Sequence, residues 1–226
     1  MSLEISNLNA GYDGTPILRD VDFTVDTGEI VGIVGRNGVG KTTLLKSIMG
    51  LLDPETGRIR YDGAELTGSS PDERAKRSIG YVPQGRDVFP DLTVKENLLV
   101  GESVGIDDET RYEQVYDYFP ILEERADQDA GTMSGGQQQM LAIGRALVGD
   151  PDLLLVDEPS EGVQPSIVQS ITEDLKRINE EFDTTILFVE QNLSVIQGLA
   201  ERCYAINHGT IVDEISGEAV SDREQL

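Results

Sequence analysis

Three short segments of the chain contain residue types that could hold and cleave a phosphate ester. The first is GRNGVGKTT at residues 35–43, in which three glycines precede a lysine and two threonines. Glycine lets a backbone curve around an anion with its N–H groups turned inward, and lysine adds positive charge. The segment therefore predicts a phosphate-binding loop. Its expected nucleotide contacts are Gly35, Asn37, Gly38, Gly40, Lys41, Thr42 and Thr43.

Two residues at the end of this loop have separate expected roles. Lys41 can bridge the β- and γ-phosphates of ATP, and Thr42 can place its hydroxyl on Mg²⁺. An apolar run, EIVGIVG, precedes the loop and a helical pattern follows it, so that a helix dipole adds positive potential at the phosphates. A chance match in a glycine-rich chain is the alternative, but the flanking strand and helix favour an Mg-ATP site.

The second segment is LLLVDE, an apolar run that ends in two acids. A continuous apolar run of this length is typical of a buried parallel strand. Asp157 is expected to hold Mg²⁺ through its water shell, and Glu158 to orient the water that attacks the γ-phosphate. The alternative is a pair of acids that only solvates a strand end, which the upstream glycine loop disfavours.

The third segment is MSGGQQQ at residues 133–139. A serine and two glycines before a helical pattern form another N-terminal anion site, because the first N–H groups of a helix have no partner within it. The same residues are expected to cap a helix at 136–148. The two roles are compatible.

The elements around these segments predict an α/β fold. LEISNLNA and ILRDVDFTV alternate apolar and polar residues, which indicates an N-terminal antiparallel β subdomain. The short apolar runs EIVGIVG, IGYVP, LLLVDE and TTILFVE predict a parallel sheet, with a helix at 41–51 directly after the glycine loop. We therefore expect a P-loop NTPase core with helices around a parallel sheet.

Residues 85–140 are interpreted as a helical insertion in this core, because they contain a long acidic helical pattern and no strand pattern. Residues 1–84 and 141–226 then form the nucleotide-binding core and its β subdomain, within one domain. Two capping boxes mark helix starts, one at Ser70 and Glu73 and the other at Thr93 and Glu96. A short terminal helix is expected in SGEAVSDREQL.

The composition argues against a nucleic-acid surface, since 18 basic against 42 acidic residues give a formal charge of −24. The acids are spread along the chain and few of the basic residues are lysines, which indicates a protein of a high-salt cytoplasm. The single cysteine, Cys203, excludes an internal disulfide and is expected to be buried. No run approaches the ~18–20 apolar residues of a spanning helix. We expect a soluble, intracellular chain that reaches a membrane only through another subunit.

A phosphate loop, then SGGQ, then an acid pair about 20 residues later resembles the ABC ATPases over nearly the whole chain. In that family two nucleotide domains pack head to tail, with each ATP between one phosphate loop and the other SGGQ. The resemblance implies that Ser134, Gly135, Gly136 and Gln137 contact the γ-phosphate bound by the partner chain. Tyr12 matches the aromatic residue that stacks on adenine. Its alternative role is that of a core tyrosine at a strand end.

Four further positions follow from this resemblance. Gln84, after IGYVP, matches the glutamine that contacts Mg²⁺ and links the site to a membrane subunit. Gln191 takes the place of a histidine that most members carry after the strand TTILFVE. Its amide can donate to a phosphate oxygen but cannot become cationic, so we hypothesise that this site is slower than its partner site. The only histidine, His208, is expected in a turn, and Gln164 replaces a loop aspartate of the family.

The segments VPQGRDVFPDLTVKENL, DEPSEGVQP and VEQN resemble the second ATPase subunit of importers for branched-chain amino acids, and of importers for urea and short-chain amides. The segments do not decide between these solutes. The resemblance implies a heterodimer or a homodimer of ATPase chains at the cytoplasmic face of the membrane. Its partners are two multi-spanning permease subunits and, indirectly, an extracytoplasmic solute-binding protein. A groove near Gln84 and the segment RDVFPDL is expected to receive the permease. Phe89 is expected to be exposed there, with a core position in the helical insertion as the alternative.

Three other classes of ATPase fit the sequence less well. A DNA-repair or chromosome-organising ATPase would contain a long heptad run between its motifs, and none is present. A translation factor of this type has two sets of motifs in one chain, and only one set is found here. A regulatory module without turnover is disfavoured by the intact Lys41, Asp157 and Glu158.

Overall fold

A computed structural model describes residues 2–102 and 110–216 of the 226-residue chain. Within these ranges the strands are β1 (Leu3–Tyr12), β2 (Thr15–Val25), β3 (Ile30–Val34), β4 (Thr56–Tyr61), β5 (Ala64–Glu65), β6 (Ile79–Val82), β7 (Leu153–Asp157), β8 (Thr185–Glu190), β9 (Arg202–Asn207) and β10 (Thr210–Ser216). The helices are α1 (Lys41–Met49), α2 (Pro71–Ala75), α3 (Val94–Glu102), α4 (Thr110–Tyr118), α5 (Pro120–Glu124), α6 (Gly135–Val148), α7 (Pro165–Phe182) and α8 (Leu193–Leu199), with a 3-10 turn at Ala130–Thr132.

The strands form two sheets, as the apolar patterns predict. One is antiparallel, with the order β2-β1-β4-β5. The other has the order β10-β9-β3-β8-β7-β6, and only β10 runs against its neighbour. Every residue of β3, β7 and β8 is buried, because helices or the antiparallel sheet cover both faces. The predicted α/β fold with an antiparallel β subdomain is confirmed.

The register of the parallel sheet places the glycine loop and the acid pair at one edge. Val34 pairs with Glu190, and Asp157 pairs with Val189. The carboxyl ends of β3, β7 and β8 therefore lie side by side, and ligands of open α/β sheets bind outside such ends. The glycine loop, the acid pair and Gln191 leave the sheet at this edge.

Between β6 and β7 the described residues contain helices and the 3-10 turn but no strand, as predicted for this part of the chain. The capping box at its start is present, since the Glu96 carboxylate accepts the Thr93 N–H at 2.8 Å and the Thr93 hydroxyl accepts the Glu96 N–H at 3.2 Å. Apolar side chains of α3 and α6, including Val94, Leu98 and Ile143, share one core cluster. The part of the predicted helix at 103–109 lies outside the described residues.

Several element boundaries differ from the sequence-based expectation. Helix α1 ends at Met49 rather than at residue 51, because Gly50 adopts φ +79° and caps it. Helix α6 begins at Gly135 rather than at residue 136, with Ser134 as its N-cap. Strand β5 was not predicted, since two residues are too few to show a pattern. The terminal helix expected in SGEAVSDREQL lies outside the described residues, and Ser216 ends β10.

Cys203 is fully buried and is not part of a disulfide, as predicted. In residues 2–102 and 110–216, no helix combines the length and the apolar character needed to cross a membrane.

A buried arginine fixes the far end of α1, the helix that begins at the glycine loop. Arg74 is fully buried, and its guanidinium donates to four carbonyls and to no carboxylate. Two of these bonds, of 2.7 and 2.6 Å, go to Ser47 and Ile48 at the end of α1. The side chain therefore supplies donors to carbonyls that have no partner within the helix.

Replacing Arg74 with Met is expected to lower the free energy of unfolding by about 2–4 kcal/mol, because four charge-assisted hydrogen bonds are lost inside the core. Denaturant unfolding followed by circular dichroism measures this change. Arg77→Met is the matched control, since Arg77 is exposed in the same segment. Equal stability of the two variants would contradict this account of Arg74.

Candidate functional site

The glycine loop connects β3 to α1 in the predicted geometry. Gly38 and Gly40 have φ values of +81° and +113°, which side chains rarely tolerate. A Cβ at Gly35 would lie 2.7 Å from the Ile206 carbonyl oxygen, so the loop also needs glycine for close approach. Helix α1 begins without a side-chain cap and without an acid in its first turn. Its first N–H groups remain available to an anion.

Lys41 lies inside this loop and is almost fully buried. Its ammonium donates to the carbonyls of Gly35 at 2.8 Å and Arg36 at 3.1 Å. It also forms an ion pair of 3.0 Å with the Glu158 carboxylate, which is buried as well. The charge predicted to meet phosphate is thus paired with the predicted catalytic acid.

The proposed metal-binding residues lie together beside this ion pair. Thr42 Oγ1 is 3.1 Å from Asp157 Oδ1 and 3.4 Å from Gln84 Oε1. The Tyr81 hydroxyl donates to Asp157 Oδ2 at 3.4 Å. Hydroxyl, amide and carboxylate oxygens are the ligands that Mg²⁺ prefers, directly or through water. The donor set therefore fits this ion.

Burial raises the pKa of Asp157 to about 6. The bond from Thr42 acts in the opposite direction, and the neighbouring charge of Glu158 raises the pKa further. A bound divalent cation would favour the ionised carboxylate and remove this repulsion. The raised pKa of Asp157 and the nearby charge of Glu158 thus agree with a site that binds a cation.

Glu158 directly follows β7 and has a strained backbone. Its φ is +47°, a conformation that persists at functional sites when the surroundings enforce it. The Glu158 N–H donates to the Val189 carbonyl at 3.0 Å, which holds the residue against β8. One carboxylate oxygen contacts Lys41, and the other accepts from the Gln84 amide at 3.5 Å. Glu158, the predicted catalytic residue, and Gln84 are therefore neighbours.

Gln191 is exposed at the end of β8, next to the glycine loop. It lines a cavity of about 590 Å³ together with Gly35, Arg36 and His208. His208 itself is an exposed turn residue with φ +48° between β9 and β10, as predicted. Gln191 and His208 each directly follow a strand of the parallel sheet, β8 and β9, and both line this cavity.

Sequence analysis overlooked Glu190, the residue before Gln191. Its side chain is 1% exposed, and its carboxylate accepts three backbone N–H groups at 2.9 Å. The donors are Ser160, Gln191 and Asn192. Glu190 therefore joins the Gln191 turn to the loop that follows the acid pair. The available signal was an acidic residue in an apolar strand, because an acidic side chain is rarely buried without partners.

Sequence analysis also overlooked Arg86, two residues after Gln84. Its guanidinium donates to the carbonyls of Glu161 at 3.0 Å and Gly162 at 3.1 Å. A Cβ at Gly135 would lie 2.9 Å from the same guanidinium, so this glycine permits close packing. No pattern in the sequence connects these three segments.

The SGGQ segment caps α6. Ser134 accepts the Gln137 N–H at 3.4 Å, and Gln137 accepts the Ser134 N–H at 2.9 Å. Ser134 is exposed. Across the described parts of the chain, no hydrogen bond or ion pair joins residues 134–137 to the glycine loop. The anion site at this helix start is therefore separate from the phosphate loop of the same chain.

Tyr12 lies at the end of β1, where it is 43% exposed. The alternative of a core tyrosine is therefore wrong, and the ring is accessible to a ligand. Gln164 is the exposed N-cap of α7.

Comparisons with known proteins agree with this site. A family model described as ABC transporter matches residues 18–161. The chain is 44% identical to a high-affinity branched-chain amino acid transport ATP-binding protein of Pseudomonas aeruginosa, covering 96% of this chain and 94% of the relative. It is 37% identical to a probable branched-chain amino acid transport ATP-binding protein of Archaeoglobus fulgidus, covering 99% and 96%.

Solved structures with the same fold include a nucleotide-free ATP-binding cassette from an ABC transporter, with a TM-score of 0.87 and 26% identity over 98% of this chain and 94% of that one. Another is a dimeric ATP-binding cassette in a post-hydrolysis state bound to ADP and Pi, with a TM-score of 0.85 and 28% identity over 95% and 98%. With a phosphate loop and an acid pair assembled at one sheet edge, this chain belongs to the ABC transporter family as an ATP-hydrolysing subunit.

Proposed function

We propose that this chain binds Mg-ATP at residues 35–43 and hydrolyses it with Glu158, in order to power an importer of branched-chain amino acids. The observation that carries the proposal is the buried 3.0 Å contact between Lys41 and Glu158 beside the Thr42–Asp157 pair. This arrangement presents a cation, a carboxylate and metal-binding oxygens at the start of one helix. The two relatives described above support the choice of solute.

The residues of the chain divide the chemistry among them. The loop N–H groups and Lys41 bind the phosphates, and phosphate oxygens compete with Glu158 for the Lys41 ammonium. Once released from Lys41, the Glu158 carboxylate can orient a water toward the γ-phosphate. Mg²⁺, held by Thr42, Asp157 and Gln84, would neutralise phosphate charge. Gln191 would donate its amide to the γ-phosphate.

A second ATPase chain would complete each site. Ser134 is exposed, and among the described residues no hydrogen bond joins the SGGQ segment to its own phosphate loop, which fits a role in the partner's site. In that arrangement Ser134, Gly135, Gly136 and Gln137 contact the partner's nucleotide, and Tyr12 stacks on adenine. We propose a heterodimer, with a homodimer as the alternative. Residues 85–140 then act as a helical subdomain that carries the SGGQ motif.

An exposed apolar groove is proposed to dock a permease. It has a volume of about 320 Å³, and its lining includes Leu51, Phe89 and Val100. All three side chains are exposed, and the Arg145 guanidinium lies 5.1 Å from the Phe89 ring centre. Contiguous exposed apolar side chains mark interaction sites. Two permease subunits, with a solute-binding protein on the other side, would hold the chain at the cytoplasmic face of the membrane.

Replacing Phe89 with Ala is expected to reduce solute uptake by about tenfold or more, because truncation of a buried aromatic anchor costs an interface about 2 kcal/mol. ATP binding should remain unchanged. Uptake of labelled solute into membrane vesicles and nucleotide titration measure the two effects. The matched control is Phe182→Ala, because Phe182 is 45% exposed against 44% for Phe89 and lies on α7. Unchanged uptake in Phe89→Ala would remove this docking proposal.

The proposed function as a whole is tested by purifying the tagged chain from native membranes. We expect two multi-spanning proteins and a second ATPase to co-purify, with ATP turnover by the complex. Deleting the gene should abolish high-affinity uptake of leucine, isoleucine and valine. Loss of urea or short-chain amide uptake instead would reassign the solute. ATP turnover by a chain with which no membrane protein co-purifies would reject the importer role.

A further inference from the structure

The segment after Gln84 has an unusual backbone conformation. Gly85, Arg86 and Asp87 have successive φ values of +82°, +77° and +44°. Two of these residues carry side chains, and side chains disfavour this region. Such a run persists only where the surrounding contacts enforce it. The contacts of Arg86 identify what holds this segment in place.

On one side, Arg86 contacts the loop after the acid pair and the start of the SGGQ helix. Its Nη2 atom donates to Glu161 and Gly162, in the loop between the acid pair and α7. A Cβ added to Gly135, at the start of α6, would be only 2.9 Å from the Arg86 Nη1 atom. One guanidinium thus sets the spacing between the SGGQ helix and the loop after the acid pair.

On the other side, the backbone of Arg86 contacts the docking groove. The Arg86 carbonyl accepts from Arg145 at 3.5 Å. The Arg145 guanidinium in turn lies over the ring of Phe89, which lines the groove. A movement of Phe89 or Arg145 would therefore act directly on Arg86. No other side chain in the described ranges is bonded to the loop at 161–162 and packed on Gly135 at once.

We propose that Arg86 is a positioning residue that couples the permease groove to the loop at 161–162 and to the SGGQ helix, which is proposed to contact the partner's ATP. The proposal rests on the function proposed above. Arg86 lies outside the glycine loop, and we assign it no contact with nucleotide. Its removal should leave ATP affinity unchanged but release the loop at 161–162 from the SGGQ helix. The slow step would then be the closure of the dimer, which appears in kcat rather than in KM.

The experiment compares Arg86→Ala and Arg86→Lys in the assembled transporter in lipid nanodiscs. We expect Arg86→Ala to lower kcat for ATP about tenfold, with KM within twofold of wild type, and to abolish stimulation by the loaded solute-binding protein. Arg86→Lys should recover part of kcat, because the ammonium keeps the charge but not the planar fork. Arg58→Ala, at an exposed arginine on β4, is the control and should behave as wild type.

Three results would overturn the proposal. One is wild-type kcat and stimulation in Arg86→Ala. Another is a parallel loss of ATP affinity and kcat with no recovery in Arg86→Lys, which indicates only a general folding role. The third is failure of both variants to assemble while their isolated chains unfold more easily than wild type. Failure of the proposed function is a separate outcome, because the wild-type complex itself would then lack solute-stimulated turnover.

Discussion

Replacing Glu158 with Gln is expected to lower ATP turnover at this site by at least about 100-fold while nucleotide binding is retained. The amide has the shape of the carboxylate but cannot accept a proton from the attacking water. It also removes the 3.0 Å ion pair with Lys41. In this variant the ATP phosphates do not have to displace a carboxylate from Lys41. We therefore expect the affinity for ATP to stay equal or to rise a few-fold.

Single-turnover hydrolysis of labelled ATP measures the first effect, and titration with a fluorescent ATP analogue measures the second. Glu161→Gln is the matched control, because it neutralises an exposed acid three residues away. A Glu158→Gln variant that keeps more than one-tenth of wild-type single-turnover hydrolysis at this site would show that another group orients the water. Loss of nucleotide binding in that variant would show that Glu158 is needed for the architecture of the loop.

The same variant also tests the hypothesis that Gln191 makes this site slow. In a heterodimeric transporter, turnover that remains with Glu158→Gln comes from the partner site. A large remainder would support a slow site at this chain's phosphate loop. A fall to background would show that this site is not the slow one.

Replacing Glu190 with Gln is expected to lower kcat about tenfold and to cost about 2 kcal/mol in stability. Three backbone N–H groups donate to this carboxylate, one to Oε1 and two to Oε2. An amide has only one acceptor oxygen, so its NH₂ group must face at least one of these donors in either orientation. We expect that loss of this hydrogen bond lets the Gln191 turn and the loop that starts at Ser160 move.

ATP affinity should change less than threefold in Glu190→Gln, because the contacts of the glycine loop are not altered. Steady-state kinetics separate kcat from KM, and thermal unfolding gives the change in stability. If Glu190 acts through Gln191, the effects on kcat of Glu190→Gln and Gln191→Ala should not add in the double variant. Fully additive effects would contradict this coupling. Glu201→Gln, at an exposed acid near the same sheet, is the control.

Local patterns predicted most of the fold and part of the site. The capping boxes at Ser70 and Thr93 and the loop glycines were read directly from the sequence, because each is set by residues a few positions apart. The buried strands were equally clear, since four or five largely apolar residues in succession leave few alternatives. The acids of the pair were identified because they follow such a strand.

The arrangement of charges could not be read from the sequence in the same way. Lys41 and Glu158 belong to different strand–loop units, and only the parallel register of β3, β8 and β7 brings their side chains to 3.0 Å. Arg74, Arg86 and Glu190 have the residue types of surface positions. They are held inside by hydrogen bonds to remote backbone groups. No local pattern encodes such bonds.

The sequence by itself therefore predicted a phosphate-binding loop and determined that two acids follow a buried strand, because glycine conformation and apolar runs act locally. Only the tertiary structure decided that Glu158 neutralises Lys41, that Glu190 holds the Gln191 turn, and that Arg86 joins three distant segments. These contacts depend on sheet order and helix packing, which are set by the whole core rather than by neighbouring residues.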